Sequence, residues 1–257
     1  MSDPIRLVVV APNGRMGAQV CSLADADDGL TVVARVIPPG EEGGVLLDTV
    51  NGSVADVMVD FSHHTVVPVH AAWCADNNVA WVLGTTGLTE AEQEAVAVAS
   101  GHVPVFQASN FSVGVALLAD LAGRAARVLG LHADVEIVES HHHHKVDAPS
   151  GTAITLGKAV ASARGQNYDD VKTDGRGGIV GARPRGEIGM HALRLADIVG
   201  RHTVHFGWPA EGLQLAHEAR DRAVFARGAL RAAVFSNDKR VAGEPGFYDM
   251  PDLLSGS

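Results

Sequence analysis

A chain of 257 residues, 46% hydrophobic and 19% charged with few aromatics, has the balance of a soluble α/β protein and not that of a disordered chain or a coiled coil. Thirty acidic against twenty basic side chains leave a formal charge of −10, which repels nucleic acid and anionic membrane surfaces, so an anionic ligand must be met by a locally positive pocket. No run reaches the roughly 18 apolar residues of a membrane span. Ile5 to Val10 is too short for a signal peptide, and Cys21 and Cys74 lack CxxC spacing, so neither a disulfide framework nor a cysteine zinc site is expected and a cytoplasmic location is.

From the N-terminus, Arg6 to Val10 is a β-branched run that ends at Ala11-Pro12-Asn13-Gly14-Arg15-Met16-Gly17, with a helix predicted over Met16 to Ala24. Strand, glycine turn and helix start make the corner where backbone N–H groups meet a pyrophosphate, although Gly14 and Gly17 taken alone also suit an ordinary tight turn. A second strand, Thr31 to Ile37, should end on an acid if it binds the ribose diol of NAD, about 20 residues past the turn. Ile37, Pro38 and Pro39 stand there instead; the nearest acids, Glu41 and Glu42, lie in a Gly-rich loop, while Arg15 sits in the turn. An absent acid beside a guanidinium favours a 2′-phosphate and hence NADPH, although Arg15 equally suits a solvated surface charge.

Val57 to Phe61, Val79 to Leu83 and Val103 to Gln107 are three further strands. Helices are predicted over Thr65 to Asp76 and, from a Thr89/Glu92 capping box, to Ser100. This alternation specifies a parallel sheet whose ligands gather at the carboxyl ends of its strands. The unusual residues fall at those ends: the glycine turn, Phe61-Ser62, Gly84-Thr85-Thr86-Gly87 and Asn110-Phe111. His63 and His64 read as loop residues.

After Asn110 the pattern changes. A long helix (Val113 to Leu129), a strand (Ala133 to Ser140), a helix (Gly151 to Arg164) and strands at Ile188 to Arg194, Ile198 to Phe206 and Leu213 to Ala219 predict a second, α+β domain with a mixed or antiparallel sheet. A helix over Arg222 to Phe235 returns the chain to the first domain, which gives 1–112 plus 221–257 as a Rossmann-like parallel-sheet, dinucleotide-binding domain and 113–220 as a substrate-binding and oligomerisation domain.

The stretch Ser140 to Ala153, SHHHHKVDAPSGTA, is one that no packing requirement calls for. Histidine tracts bind metals, but neighbouring residues on a strand face opposite ways and no partner cluster has zinc-like spacing. Ser150, Gly151 and Thr152 open a helix whose N–H groups suit a carboxylate, Lys145 and the imidazoles add positive charge, and histidine is matched to proton transfer near neutral pH.

These residues resemble the 4-hydroxy-tetrahydrodipicolinate (dihydrodipicolinate) reductase family. Glu139-Ser140-His141-His142 with Lys145-Val146-Asp147-Ala148-Pro149-Ser150-Gly151-Thr152-Ala153 is similar to its most specific signature. Gly14-Arg15-Met16-Gly17, Asp60-Phe61-Ser62, Gly84 to Gly87, Asn110 to Gly114, Arg183 with Glu187-Ile188-Gly189, His202-Thr203-Val204, Arg222 and Tyr248-Asp249-Met250 extend it from end to end. The resemblance implies NADPH or NADH as cofactor, a heterocyclic dicarboxylate substrate in lysine and diaminopimelate biosynthesis, and a homotetramer. It implies His141 and Lys145 as catalytic residues, and His142, Ser150, Gly151 and Thr152 as substrate ligands. Gly14, Arg15, Met16, Gly84, Thr86, Asn110, Phe111 and Arg222 would surround the cofactor. The chain departs from the family at Ala11-Pro12, usually Gly-Ala, at Ile37-Pro38, which replaces the ribose-reading acid, and at His64, often Pro. The alternative is a ligand-binding or regulatory protein on the same fold that holds the cofactor weakly because of Ala11, Pro12 and Ile37.

Overall fold

A computed structural model describes residues 3–256. They form two compact units, one running to Ser112 and resuming at Ala223, the other Val113–Arg222. The first begins with β1 (Ile5–Val10), α1 (Arg15–Ala24), β2 (Leu30–Val36), β3 (Val57–Asp60), α2 (Val67–Asn77), β4 (Ala80–Leu83), α3 (Glu90–Ser100) and β5 (Pro104–Gln107). The second holds α4 (Val113–Leu129), β6 (Asp134–His141), α5 (Gly151–Ala163), α6 (Tyr168–Val171), β7 (Lys172–Asp174), β8 (Ile188–Arg194), β9 (Gly200–Trp208) and β10 (Glu211–Ala219). The chain then closes the first unit with α7 (Ala223–Ala242), β11 (Gly246–Tyr248) and α8 (Met250–Ser255).

The first sheet is six-stranded and parallel, in the order β11-β5-β4-β3-β1-β2. Its central strands β3 and β4 are buried at every position, so they carry apolar runs instead of an alternation. One face packs Val8, Met58, Trp81 and Val105 against Val67, Ala71 and Cys74 of α2 and Val96 and Ala99 of α3. Helix α7 contacts α1 and strands β3, β4 and β5. The order reverses between β1 and β3, the switch point at which open α/β sheets take their ligands.

The second sheet, β10-β9-β6-β8-β7, is mixed: β6 runs parallel to β8 and antiparallel to β9. Val135 and Ile137 of β6, Ile188 and Met190 of β8 and Val204 and Phe206 of β9 form one core with Leu118, Ala122 and Ala126 of α4 and Leu156 and Val160 of α5. Loop 175–187 is tied down by charge. Glu136 accepts from Arg176 at 2.8 Å, Arg183 at 3.1 Å and His191 at 2.6 Å, and the missing side chain of Gly189 leaves room for its carboxylate.

Several boundaries differ from the sequence expectation, each for a local reason. Helix α7 runs past the polar Ser236-Asn237-Asp238 to Ala242, because Arg240 in its last turn reaches Asp56 at 2.6 Å. The expected helix at Thr65 begins as a 3-10 turn over His64–Val66, with Pro68 in the first turn of α2. Elements α6 and β7, of four and three residues, are too short to show a period in the sequence.

Candidate active site

At the β1–α1 turn Ala11 has φ of 54°, the left-handed region that glycine enters without strain. Gly17 lies so close to the turn that a Cβ there would run into the Ala11 carbonyl and Pro12 Cα. Gly14 is an extended N-cap with no side-chain cap bond, so no capping side chain competes for the N–H groups that open α1, which is the arrangement a pyrophosphate requires. Arg15 is exposed, Met16 half-buried, and Asn13 donates to the Glu41 carboxylate at 3.1 Å and the Glu42 carbonyl at 3.2 Å.

The remaining strand ends are held by packing and short polar links. Fully buried Asp60 pairs with His70 at 2.7 Å and accepts the Ser62 N–H at 2.9 Å. Burial opposes its ionisation most strongly, but the bond and charge of His70 together with the Ser62 bonds outweigh that and hold the carboxyl below its ordinary range. Gly84 lies under the Phe61 ring, which a Cβ would strike. Thr85 is buried and donates to the Ser62 carbonyl at 3.2 Å, which leaves Thr86 as the exposed hydroxyl of this turn. The Asn110 side chain accepts the Ser112 N–H at 2.8 Å. The ring of Phe111 is in the core, 5.5 Å from Phe61 and 6.0 Å from Phe106, and Gly228 makes room for its carbonyl. Of the expected cofactor residues, Phe111 therefore turns its ring into the core.

His63 and His64 are loop anchors. His63 bonds Thr65 at 3.0 Å, and His64 bonds Glu92 at 2.9 Å. Glu92 in turn closes the α3 capping box with Thr89, whose N–H is the main cause of its lowered pKa, followed by His64. The histidine that replaces proline thus gains a structural partner.

In the second unit, β6 alternates so that Val135, Ile137, Glu139 and His141 share the buried face. The row passes from core to chemistry. Fully buried Glu139 receives His141 Nδ1 at 2.5 Å, the Ser150 N–H at 3.1 Å and both terminal nitrogens of Arg194 at 2.9 and 3.0 Å. Burial opposes its charge, yet the bonds from Arg194 and then His141 prevail and lower its pKa. Arg194 also donates to the Asp147 carbonyl at 2.6 Å, which ties the loop to β8.

Ser150 caps α5 through the Ala153 N–H at 3.2 Å, and its hydroxyl lies 3.0 Å from His202 Nε2. It is buried, whereas Gly151 is exposed and Thr152 half-buried at the helix start. The pKa of His202 is pushed down to about 4, first by burial and then by His141. Lys145 is paired with Asp147 at 2.7 and 2.9 Å. His142 lies 3.4 Å from Arg222, and desolvation, then that guanidinium, lowers its pKa. His143 is turned to the Ala196 carbonyl at 2.9 Å. Among the described residues no group of three or more His, Cys, Asp or Glu could hold a metal ion.

Residues 5–111 match the dihydrodipicolinate reductase N-terminal family description and residues 114–254 the C-terminal one. The chain belongs to the dihydrodipicolinate reductase family. It is 43% identical to the 4-hydroxy-tetrahydrodipicolinate reductase of Anaeromyxobacter sp., covering 97% of each chain. It is also 43% identical to that of Akkermansia muciniphila, covering 97% of this chain and 98% of the relative. Among solved structures it is similar to a dipicolinate-bound dihydrodipicolinate reductase from Paenisporosarcina sp. TG-14, with a TM-score of 0.76, 25% identity and coverage of 96% and 97%.

As a dihydrodipicolinate reductase it is an NAD(P)H-dependent oxidoreductase that converts 4-hydroxy-tetrahydrodipicolinate to tetrahydrodipicolinate with loss of water. The regulatory alternative finds no support. The glycine cradle at Gly17 and the uncapped start of α1 fit the dinucleotide of the reductase without Gly at position 11. Sequence reading placed Glu139 and His202 in the family signature without a task, and passed over Arg194 and Gly200. For Glu139 the signal was available, since two residues along a strand share a face. Arg194 was not legible, because only the β6–β8 register sets it opposite His141.

Proposed function

We propose that this reductase binds its ring dicarboxylate on the loop of residues 141–152, with His141 as proton donor and Lys145 as the second catalytic cation. The observation that carries this reading is the buried Glu139–His141 pair linked to the start of α5 by the Ser150 N–H. Gly151 and Thr152 supply main-chain N–H groups and a hydroxyl to one carboxylate. Ser150 holds the helix start in place, and His142 adds a ring nitrogen. An incoming carboxylate competes with Asp147 for Lys145, so the cation passes from an internal partner to the substrate. The dipicolinate bound by the Paenisporosarcina relative supports a planar dicarboxylate as the ligand class.

Loss of the ring hydroxyl as water leaves a conjugated, electron-poor ring, and NAD(P)H supplies the hydride that reduces it. His141 gives the proton that quenches the developing negative charge, and Lys145 stabilises that charge before the proton arrives. On the first unit Gly14, Arg15 and Met16 hold the pyrophosphate end of the cofactor, and Gly84, Thr86, Asn110 and Phe111 form the strand-end rim; Arg222 belongs to the same cofactor set. Glu41, tied to the turn by Asn13, opposes a 2′-phosphate, and Arg15 attracts one. Their balance sets the choice between NADH and NADPH.

The enzyme assembles as a homotetramer through the second-unit sheet. Supporting this, β10 is an exposed edge strand, and Leu193, Leu195 and Leu213 are exposed in the same unit. A cytoplasmic location suits the two buried free cysteines, and no described helix is long and apolar enough to cross a membrane.

Oxidation of NADH and NADPH is followed with the condensation product of pyruvate and aspartate semialdehyde, for the wild type and Glu41→Gln. Turnover with both cofactors, shifted toward NADPH in the variant, is expected; folded wild type that oxidises neither overturns the reading. Sedimentation equilibrium tests the tetramer.

A further inference from the structure

Glu139 occupies a core position, in the row begun by Val135 and Ile137, where an isolated carboxylate would be strongly disfavoured. It is stabilised there by four N–H contacts: two from Arg194, one from the Ser150 main chain and one at His141 Nδ1. Arginine and a backbone amide can only donate, and an ionised carboxylate can only accept. The His141 nitrogen that faces this carboxylate must therefore carry hydrogen whether the ring is neutral or charged. It follows that the lone pair of the neutral ring, and the transferable proton of the charged ring, both belong to Nε2.

The space around Nε2 is shaped to the same end. A Cβ at Gly200 would lie 3.2 Å from His141 Nε2 and 3.5 Å from its Cδ2, so any larger residue would crowd the working nitrogen. His202 stands edge-on to the ring, with centroids 5.2 Å apart and planes at 71°, and is itself held by Ser150. The ring thus has one side fixed by charge and one left open by the absence of a side chain.

We propose that Glu139 is the positioning residue of His141, with Arg194 clamping its carboxylate and Gly200 keeping the approach to Nε2 open. The inference rests on the reading of His141 as proton donor. In the transfer the Nε2–H bond breaks, its electron pair stays on nitrogen, the proton goes to the substrate, and Glu139 retains the proton on Nδ1. The ring is left as the neutral Nδ1–H tautomer, which solvent reprotonates at Nε2.

The test is side-chain 15N NMR of histidine-labelled protein, with His141→Gln used to assign the His141 signals, beside steady-state kinetics. The wild type is expected to show a protonated Nδ1 and a bare Nε2 in the neutral ring. Glu139→Gln cannot accept from all four donors, so mixed or reversed tautomers are expected, with kcat down about a hundredfold or more and KM within twofold. Gly200→Ala should retain the Nδ1–H tautomer yet lose kcat, and it decides the matter if Glu139→Gln fails to fold. An Nε2–H tautomer in the wild type, or a loss of kcat in Glu139→Gln with the tautomer unchanged, overturns the role of Glu139 even when His141→Gln is inactive. Undiminished kcat in His141→Gln instead sinks the proton-donor reading itself.

Discussion

In the first unit the groups that would meet the cofactor phosphates are main-chain: an uncapped helix start, a turn pressed against Gly17 and strand ends cleared by Gly84 and Gly228. In the second unit a helix start is joined by side chains, and behind His141 stand charged ones, the fully buried Glu139 and the half-buried Arg194. A backbone site depends on where the chain runs and tolerates changes of side chain, which would let a phosphate turn carry Ala11-Pro12. A buried charge network has no such latitude, because removing one partner leaves the others desolvated and unpaired.

The contrast is open to attack from either side, and the largest effect is expected in the charged region. Replacing His141 by Gln should lower kcat about 10²- to 10⁴-fold, the usual worth of a general acid, and raise KM little. Steady-state kinetics with saturating cofactor measures both. A variant that chiefly raised KM would move His141 from the proton-transfer role to simple binding.

Next comes the pH dependence of stability. The pKa of His202 lies at about 4 in the folded chain, against about 6.5 in an unfolded one. Below about pH 6.5 the unfolded state takes up a proton that the folded state refuses, so stability falls as pH drops and the decline levels off below about 4. Its size is about 3 kcal/mol. Urea unfolding between about pH 7.5 and 4 should show this slope, and His202→Gln should flatten it. The buried carboxylates Asp60 and Glu139 shift in the opposite sense for their type, being held ionised, so their contribution is complete above about pH 4.3 and is lost only as pH falls through their lowered folded values.

Smaller effects separate main chain from side chain within each site. Thr152→Val removes one hydroxyl and keeps the helix start, so KM should rise about five- to tenfold, roughly 1 kcal/mol, with kcat nearly unchanged. Ala11→Gly relieves a left-handed alanine and should stabilise the protein by up to about 1 kcal/mol in thermal or urea melts. Cofactor affinity, measured by fluorescence titration, should change less than threefold, roughly 0.6 kcal/mol; a large gain would show that the turn is a specific weakness after all.

Much of this was written in local pattern. The βαβ alternation, the Thr89/Glu92 capping box, the span of α4 and the start of α5 follow from periodicity and capping chemistry, which act over a few residues. The histidine loop announced itself because no core calls for four imidazoles before a Pro-Ser-Gly-Thr turn. The inequality among those histidines was less plain: His143 is spent on Ala196, and His142 stands by Arg222, a residue 80 positions away.

The sequence by itself determined the two-part α/β organisation and the place of Gly14, Gly84 and Asn110 just past strand ends, and it marked the 140–153 stretch as the candidate anion and proton site. These rest on neighbours in the chain. Only the tertiary structure decided that Arg194 pairs with Glu139, that Gly200 lies against the His141 ring and that Phe111 lies in the core. The reason is physical: hydrogen bonds and clearances between residues fifty or more positions apart depend on strand register, and register is settled by which face a whole sheet buries and not by any single segment.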